Sequence, residues 1–149
     1  GDTVAVAPDI RYNEQVYNGQ DRIFKLMLCQ RVGPVAFSTR CYAQEGKGIN
    51  IFDNAGWGSP RSLFFTASYI QMCKVALKEI PLNERQRAHV AEHLAQTRYN
   101  FTAGLLHQAR QRTGIDWKTV ATTLRHDPGT LIGLIPNIAK ILLRKVQSA

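Results

Sequence analysis

From residue 59 to its end, the chain consists of apolar stretches with helical spacing, divided by proline, glycine and capping residues. Apolar side chains that recur every three or four residues share one side of an α-helix, so this pattern favours helices over strands. Ser59 and Pro60 suit a helix start, because serine caps a helix and proline fits its first turn. Pro81 cannot continue a helix. The first stretch therefore predicts a helix from Ser59 to Ile80.

A second, longer helix is predicted to begin at Asn83. Asn83 and Gln86 have the spacing of a capping box, in which each side chain bonds the backbone N–H of the other residue. The apolar pattern continues to about Arg112, and Gly114 is expected to end the helix. The opposite side of this helix is expected to face solvent, and it carries Arg85, Arg87, Glu92, Arg98 and Arg110.

Two shorter helices are predicted after Gly114. Asp116 is placed to cap the first of them. Asp127 and Pro128 begin the second, which Pro136 is expected to kink or split. With the helices already described, the region 59–149 is predicted to be a helical bundle.

The segment 131–146 allows two interpretations. It is apolar, with Lys140, Arg144 and Lys145 near its end. In one interpretation it is an amphipathic helix that makes a peripheral membrane contact. In the other it packs on neighbouring helices, and the cations complement the helix dipole. No apolar run of about 18 residues occurs, so a spanning helix is not expected.

Upstream of the bundle, a turn leads into a further helix. Asn18 and Gly19 both tolerate the backbone conformations of tight turns, and the residues after them have helical spacing. Asp21 is therefore expected at or near a helix N-terminus, where backbone N–H groups favour its ionised form. Such a carboxylate is either a catalytic base or an ordinary cap. Gly33 and Pro34 end the pattern.

The rest of the first 58 residues predicts strands and a loop. Residues 3–7 and 35–37 are short apolar runs bounded by turn residues, which indicates strands. Residues 40–59 are rich in glycine and are expected to form a long loop, which in a compact domain is usually either functional or disordered. Lys47 in this loop is either a phosphate contact or part of an exposed turn. Trp57 either stacks on a sugar ring or anchors the loop. The fold class is thus mainly α (α+β), with short N-terminal strands and a Gly-rich loop before four to five helices.

The order of these segments resembles a known family. The sequence D-I-R-Y-N-E at 9–14, the Gly-Gln-Asp helix start at 19–21, the strand at 35–37 and the loop from Arg40 follow one another as in family 2 glycosyltransferases. The resemblance covers residues 9 to 58 and the second half of that catalytic domain. It implies an acceptor-side part at 1–58, a C-terminal helical region at 59–149, and a larger α/β enzyme of which this chain is a fragment.

The resemblance also implies roles for individual residues. Asp21 would be the general base of an inverting transfer from a nucleotide-sugar donor to a glycan or lipid-linked acceptor. The cations Arg22, Arg40 and Lys47 would neutralise the departing diphosphate, and Gln20 and Trp57 would contact substrate. Many relatives carry an acidic residue where this chain has Gln20.

Part of the family pattern is absent from this sequence. It contains no Asp-x-Asp, the motif that binds metal and donor in this family. A divalent metal, if the enzyme uses one, is therefore expected mainly on an N-terminal half, and the cofactor is left open. The chain also begins with Gly1 and Asp2 rather than methionine, which favours the fragment interpretation.

The charge balance favours anionic partners and leaves an alternative function open. Lys and Arg total 19 against 11 Asp and Glu, a net charge of +8. A small basic helical module that binds nucleic acid or mediates assembly is the alternative. Residues 113–120 look like a turn and helix, but Lys118, Thr122 and Arg125 form too thin a set for a recognition helix, so nucleic acid is disfavoured. An oligomer stays open.

Cysteine and histidine add two weaker expectations. Cys29, Cys41 and Cys73 are an odd number at wide spacings, which indicates reduced thiols in a cytoplasmic protein. The membrane interpretation of 131–146 extends this expectation to a peripheral position at the inner membrane surface. Cys29 and Cys73 are expected to pack as small apolar side chains. His89 and His93 either share a metal with Glu92 or His107, or lie on a solvated helix side.

Overall fold

Five α-helices and no strand occur in the part of the chain that the computed structural model describes, namely residues 10, 11, 14, 16, 19–32, 56–59, 61–112 and 114–147. These are α1 (Gln20–Val32), α2 (Ser62–Glu79), α3 (Glu84–Gln111), α4 (Trp117–His126) and α5 (Pro128–Gln147). The prediction of a mainly α chain is confirmed for these residues. The strands predicted at 3–7 and 35–37 and most of the Gly-rich loop lie outside them, and the domain division at 58 stays a prediction.

α2 and α3 form a hairpin that contains most of the core. Leu63 and Ile70 of α2 and Phe101 of α3 are fully buried. Gly104 lies on the side of α3 that meets Leu63, and a side chain there would press on it. Gln108, also buried, donates a 2.9 Å hydrogen bond to the carbonyl of Ser59 ahead of α2. The far end of α3 is thus fastened to the beginning of α2.

The start of α2 differs from the prediction. The helix begins at Ser62, and the residue before it, Arg61, makes no capping bond with its side chain. Ser59 closes a turn instead, since its carbonyl accepts bonds from the N–H (3.1 Å) and the hydroxyl (2.8 Å) of Ser62. Pro60 lies outside the described residues. Ser59 therefore contributes through its backbone carbonyl and not through the side-chain cap that the sequence predicted.

The capping box of α3 is confirmed, and the helix ends within one residue of the predicted Arg112, but Gly114 is not the residue that ends it. Asn83 accepts from the N–H of Gln86 at 2.9 Å, and its own N–H donates to Gln86 Oε1 at 3.0 Å. The helix ends at Gln111, followed by Arg112 with a φ of 53°. A left-handed residue other than glycine costs about 1–2 kcal/mol. The chain leaves the helix two residues before Gly114, so the glycine does not supply the left-handed turn.

α4 begins as predicted, and α5 continues through Pro136 as one helix. Asp116 caps α4, accepting from the N–H (3.1 Å) and the hydroxyl (2.6 Å) of Thr119. These hydrogen bonds lower the pKa of Asp116. Pro136 lies inside α5, which continues to Gln147 and so is not split.

One buried carboxylate joins the last four helices. Asp127 stands between α4 and α5, and its side chain is 4% exposed. Arg98 of α3 binds both of its oxygens, at 2.8 and 2.6 Å, and Lys74 of α2 lies 3.5 Å from Oδ1. The N–H (3.2 Å) and hydroxyl (2.5 Å) of Thr130 in α5 donate to Oδ2. We call Lys74, Arg98, Asp127 and Thr130 the Asp127 cluster.

Two further contacts complete the Asp127 cluster. Lys74 also donates to the carbonyl of His126, the last residue of α4. Gly129 lies directly against the guanidinium of Arg98, where any side chain would displace it. The glycine therefore provides the space in which Arg98 reaches Asp127.

Stability is expected to fall in acid through Asp127. Burial raises the pKa of this carboxyl, but the bonds from Arg98 and Thr130 and the charge of Lys74 outweigh burial and lower it from 3.8 to about 2. A carboxyl with a depressed folded-state pKa stabilises the fold above its unfolded pKa, and this is lost as pH falls through the folded value. We expect a loss of about 2 kcal/mol between about pH 5 and pH 2. Urea unfolding across this range measures it, and Asp127→Asn should remove this part of the slope.

α5 has a packed side and an exposed apolar side. It contacts α3 and α4, and Thr130 is buried. The large apolar side chains on its other side are exposed, and they are Leu131, Ile132, Ile135, Leu142 and Leu143. The interpretation in which this helix packs on neighbouring helices is therefore confirmed for one side of α5, and the membrane contact stays a prediction. None of the helices in the described residues is both long and apolar enough to cross a membrane.

The described cysteines differ in burial. Cys73 is buried in the core as predicted, and burial raises its pKa to about 11 against the opposing charge of Arg98. Cys29 is exposed, so its expected packing is wrong. The reason is that α1 turns Ile23 and Met27 toward the core, and Cys29 lies on another side of this helix. Cys41 lies outside the described residues.

Candidate functional site

The turn and helix predicted around Asp21 are confirmed. Gly19 has a φ of 90°, a conformation that favours glycine, and its carbonyl accepts from the N–H groups of Arg22 (3.0 Å) and Ile23 (3.1 Å). The helix begins at Gln20, so Asp21 is its second residue rather than its cap. A negative charge in the first turn complements the helix dipole.

Packing holds the first turn of α1 in place. Val16 and Ile23 are fully buried on either side of the turn. Gly19 lies against the side chain of Met72 in α2, and no Cβ fits between them. At the other end of α1, Gln30 donates a 2.9 Å bond to the carbonyl of Pro81. The backbone that carries Asp21 is therefore fixed on α2.

Three residues predicted to form the site share this turn. The side chain of Asp21 is 61% exposed, with Oδ2 3.9 Å from Nζ of Lys25. Arg22 is exposed and its guanidinium lies 5.6 Å from the ring centre of Tyr69. Gln20 is half-buried. The carboxylate thus faces solvent, with the ammonium group of Lys25 one helical turn away.

Trp57 precedes α2 and lies against α3, next to His107. Its ring centre is 6.1 Å from that of His107, and the residue is 63% exposed. Gly58 follows with a φ of 78°, and its open side faces the His107 ring. Trp57 is therefore not buried in the core, and whether it contacts substrate or anchors the loop stays a prediction. Arg40 and Lys47 lie outside the described residues.

His89 and His93 of α3 face solvent. Both are exposed, as expected for a solvated helix side. Among the described residues, no three His, Cys, Asp or Glu side chains are grouped so that they could hold a metal ion.

Two grooves lie between the helices. The larger, about 1070 Å³, runs between α2, α3 and α4 and includes Lys74, Arg98 and Asp127 of the Asp127 cluster. The smaller, about 510 Å³, lies between α3 and α5, with His89 and His93 on one wall and Lys140 and Arg144 on the other. The residues predicted around Asp21 line neither of these two grooves, and the side chain of Asp21 is 61% exposed.

Arg98 is the important residue that the sequence prediction missed. It was placed on the solvent side of α3, yet its side chain is only 27% exposed and binds Asp127. The helical spacing contains the missed signal, because Arg98 lies four residues after Leu94 and three before Phe101, both buried. A charge on an apolar helix side predicts a partner, although the sequence does not show which one.

No family model, no curated protein and no solved structure matches this chain. The likeness to glycosyltransferases therefore rests on the order of segments within residues 9–58.

Proposed function

We propose that this chain is the acceptor-side and C-terminal part of an inverting glycosyltransferase of family 2, with Asp21 as its general base. The observation that carries the proposal is the position of Asp21. Its carboxylate is accessible in the first turn of a helix, and that helix begins where the Gly-Gln-Asp sequence predicts.

In the proposed transfer, a general base must be negatively charged and correctly positioned beside the acceptor hydroxyl. Asp21 takes the proton of the acceptor hydroxyl as that oxygen forms a bond to the anomeric carbon. The bond from this carbon to the nucleoside diphosphate breaks on the opposite face, and its electron pair leaves with the diphosphate. A positioned base contributes about 10²–10⁴-fold to such a step. The contacts of Gly19 and Ile23 with the core support such positioning.

The leaving diphosphate needs cations, and Arg22 is the described candidate. Its contact with Tyr69 holds the guanidinium near the turn, and fixed cations stabilise a developing anion better than mobile ones. Arg40 and Lys47 are proposed for the same role. Trp57 offers an exposed ring for a sugar, since an aromatic face suits the apolar face of a pyranose. Gln20 is proposed to contact substrate beside Asp21.

The compartment belongs to the same proposal. Cys29 and Cys73 are free thiols, which suits the reducing cytoplasm. We therefore place the transfer in the cytoplasm, with a nucleotide-sugar donor and a glycan or lipid-linked acceptor. A divalent metal, if the reaction uses one, is assigned to a donor-binding half rather than to the described residues.

The proposal that this chain is part of a glycosyltransferase is tested on the intact protein that contains it. The intact protein is incubated with a panel of nucleotide-activated hexoses, with and without added magnesium or manganese, and released nucleoside diphosphate is measured. We expect release with at least one donor, and none from the 149-residue chain alone. Tight DNA binding with a steep salt dependence, together with no diphosphate release, would favour the nucleic-acid-binding alternative.

A further inference from the structure

The exposed side of α5 is an apolar surface with a basic edge. We call Leu131, Ile132, Ile135, Leu142 and Leu143 the α5 stripe. Ile132 and Ile135 are 77% and 78% exposed, unusual values for isoleucine. Because a helix turns about 100° per residue, these positions fall on one side of α5, opposite the buried Thr130. A contiguous exposed apolar surface indicates an interaction site.

Lys140 and Arg144 lie beyond one edge of the α5 stripe, on the side of α5 that faces the groove with α3. Lys140 and Arg144 are exposed and follow each other by one helical turn. Arg144 is held by Tyr99 of α3, with its guanidinium 5.5 Å from the ring centre and an Nη1–hydroxyl distance of 3.5 Å. The helix Pro128–Gln147 contains no Asp or Glu. One carboxylate, Glu92 of α3, lines the same groove.

We propose that α5 binds to the surface of an anionic phospholipid bilayer, with the α5 stripe among the acyl chains and Lys140 and Arg144 at the lipid phosphates. Charge decides between this partner and a second copy of the chain. A second α5 brings three more cations, Lys140, Arg144 and Lys145, and no carboxylate, whereas an anionic bilayer supplies phosphates over its whole surface. The net charge of +8 adds attraction over a longer range.

The arrangement has the features of an interfacial helix. Such helices lie in the plane of the membrane, with the apolar side at the boundary between headgroups and acyl chains and Lys or Arg toward the phosphates. α5 is not both long and apolar enough to cross a bilayer. We therefore expect it to contact the bilayer from one side. This inference is independent of Asp21 and of any sugar transfer.

The test measures binding of the full chain to vesicles. Flotation is compared between vesicles of phosphatidylcholine alone and vesicles of equal parts phosphatidylcholine and phosphatidylglycerol. We expect binding to the anionic vesicles to exceed binding to the neutral ones by about tenfold or more, because each cation near an anionic surface adds about fivefold. Free glycerol phosphate at the same phosphate concentration should not release the protein, which separates a bilayer from a soluble phosphate ligand.

Two variants separate the apolar and the basic contribution. The triple substitution Ile132→Ser, Ile135→Ser and Leu143→Ser should lower binding to both vesicle types, by about tenfold on the anionic ones. Lys140→Gln with Arg144→Gln should remove most of the preference for anionic lipid. The matched controls are Leu26→Ser, an exposed apolar residue of α1, and Lys78→Gln with Arg110→Gln, an exposed cation pair of equal charge.

Specific results would overturn the proposal. Equal binding of the wild-type chain to neutral and anionic vesicles contradicts it, as does an equal effect of the control variants. A wild-type dimer by sedimentation velocity that the triple variant dissociates, without vesicle binding, would assign the α5 stripe to a second copy. Circular dichroism checks that each variant is folded, and the double variant leaves the α5 stripe untouched.

Discussion

Replacing Asp21 by asparagine is expected to lower kcat of the intact protein by about 100-fold or more, with little change in its stability. Asparagine keeps the shape of the side chain but cannot accept a proton from an acceptor hydroxyl. Asp21 is exposed, and its contact with Lys25 is long, so the fold loses only a surface ion pair. Steady-state transfer rates and thermal unfolding, measured on the same samples, separate the two effects.

The matched control for this experiment is Lys25→Gln. It breaks the same ion pair, 3.9 Å long, from the other side and leaves the carboxylate in place. If Asp21 is the base, the control keeps nearly normal turnover while Asp21→Asn loses it. Similar activity in both variants would mean that Asp21 only contributes to the first turn of α1, and the proposed mechanism would then lack its base.

The second large effect is expected in stability. Asp127→Ala should lower the free energy of unfolding by about 4 kcal/mol, because it leaves the guanidinium of Arg98 without its carboxylate in a largely buried position. It also removes the side chain that accepts from Thr130 at the start of α5. Urea denaturation at neutral pH gives the value from the midpoint and the slope.

Asp116→Ala is the control that isolates capping. Asp116 accepts the same two kinds of bond, from the N–H and hydroxyl of Thr119, but it is exposed and has no Arg partner in the described contacts. Loss of a cap alone costs about 1 kcal/mol. Equal losses in the two variants would show that Asp127 is only a cap and that the ion pairs with Arg98 and Lys74 add nothing.

The helix order could be predicted from the sequence because its determinants are local. The capping box of Asn83 and Gln86, the cap at Asp116 and the stop before Pro81 each depend on residues within one turn of one another. The end of α3 shows the limit of such local signals, because Arg112 rather than Gly114 takes the left-handed conformation there.

The contacts between helices could not be predicted in the same way. Arg98 and Asp127 are 29 residues apart, and nothing in either neighbourhood identifies the partner. The same holds for the contact of Gly19 with Met72, which fixes the turn of Asp21. For the candidate site, the sequence placed Gln20, Asp21 and Arg22 in one turn, because three consecutive residues need no tertiary information. The position of Trp57 beside His107 depends on how α3 packs, so it required the structure.

Pro136 sets a limit on how deep α5 can lie in any apolar medium. Proline has no N–H, so the carbonyl of Ile132 cannot receive the backbone bond that a helix normally provides. Ile132 and Pro136 are both exposed, one turn apart. A polar backbone group without a partner costs several kcal/mol in hydrocarbon but little where water reaches it. The carbonyl of Ile132, in the middle of α5, therefore needs contact with water. This requirement favours a position of the helix at the boundary between water and the apolar medium.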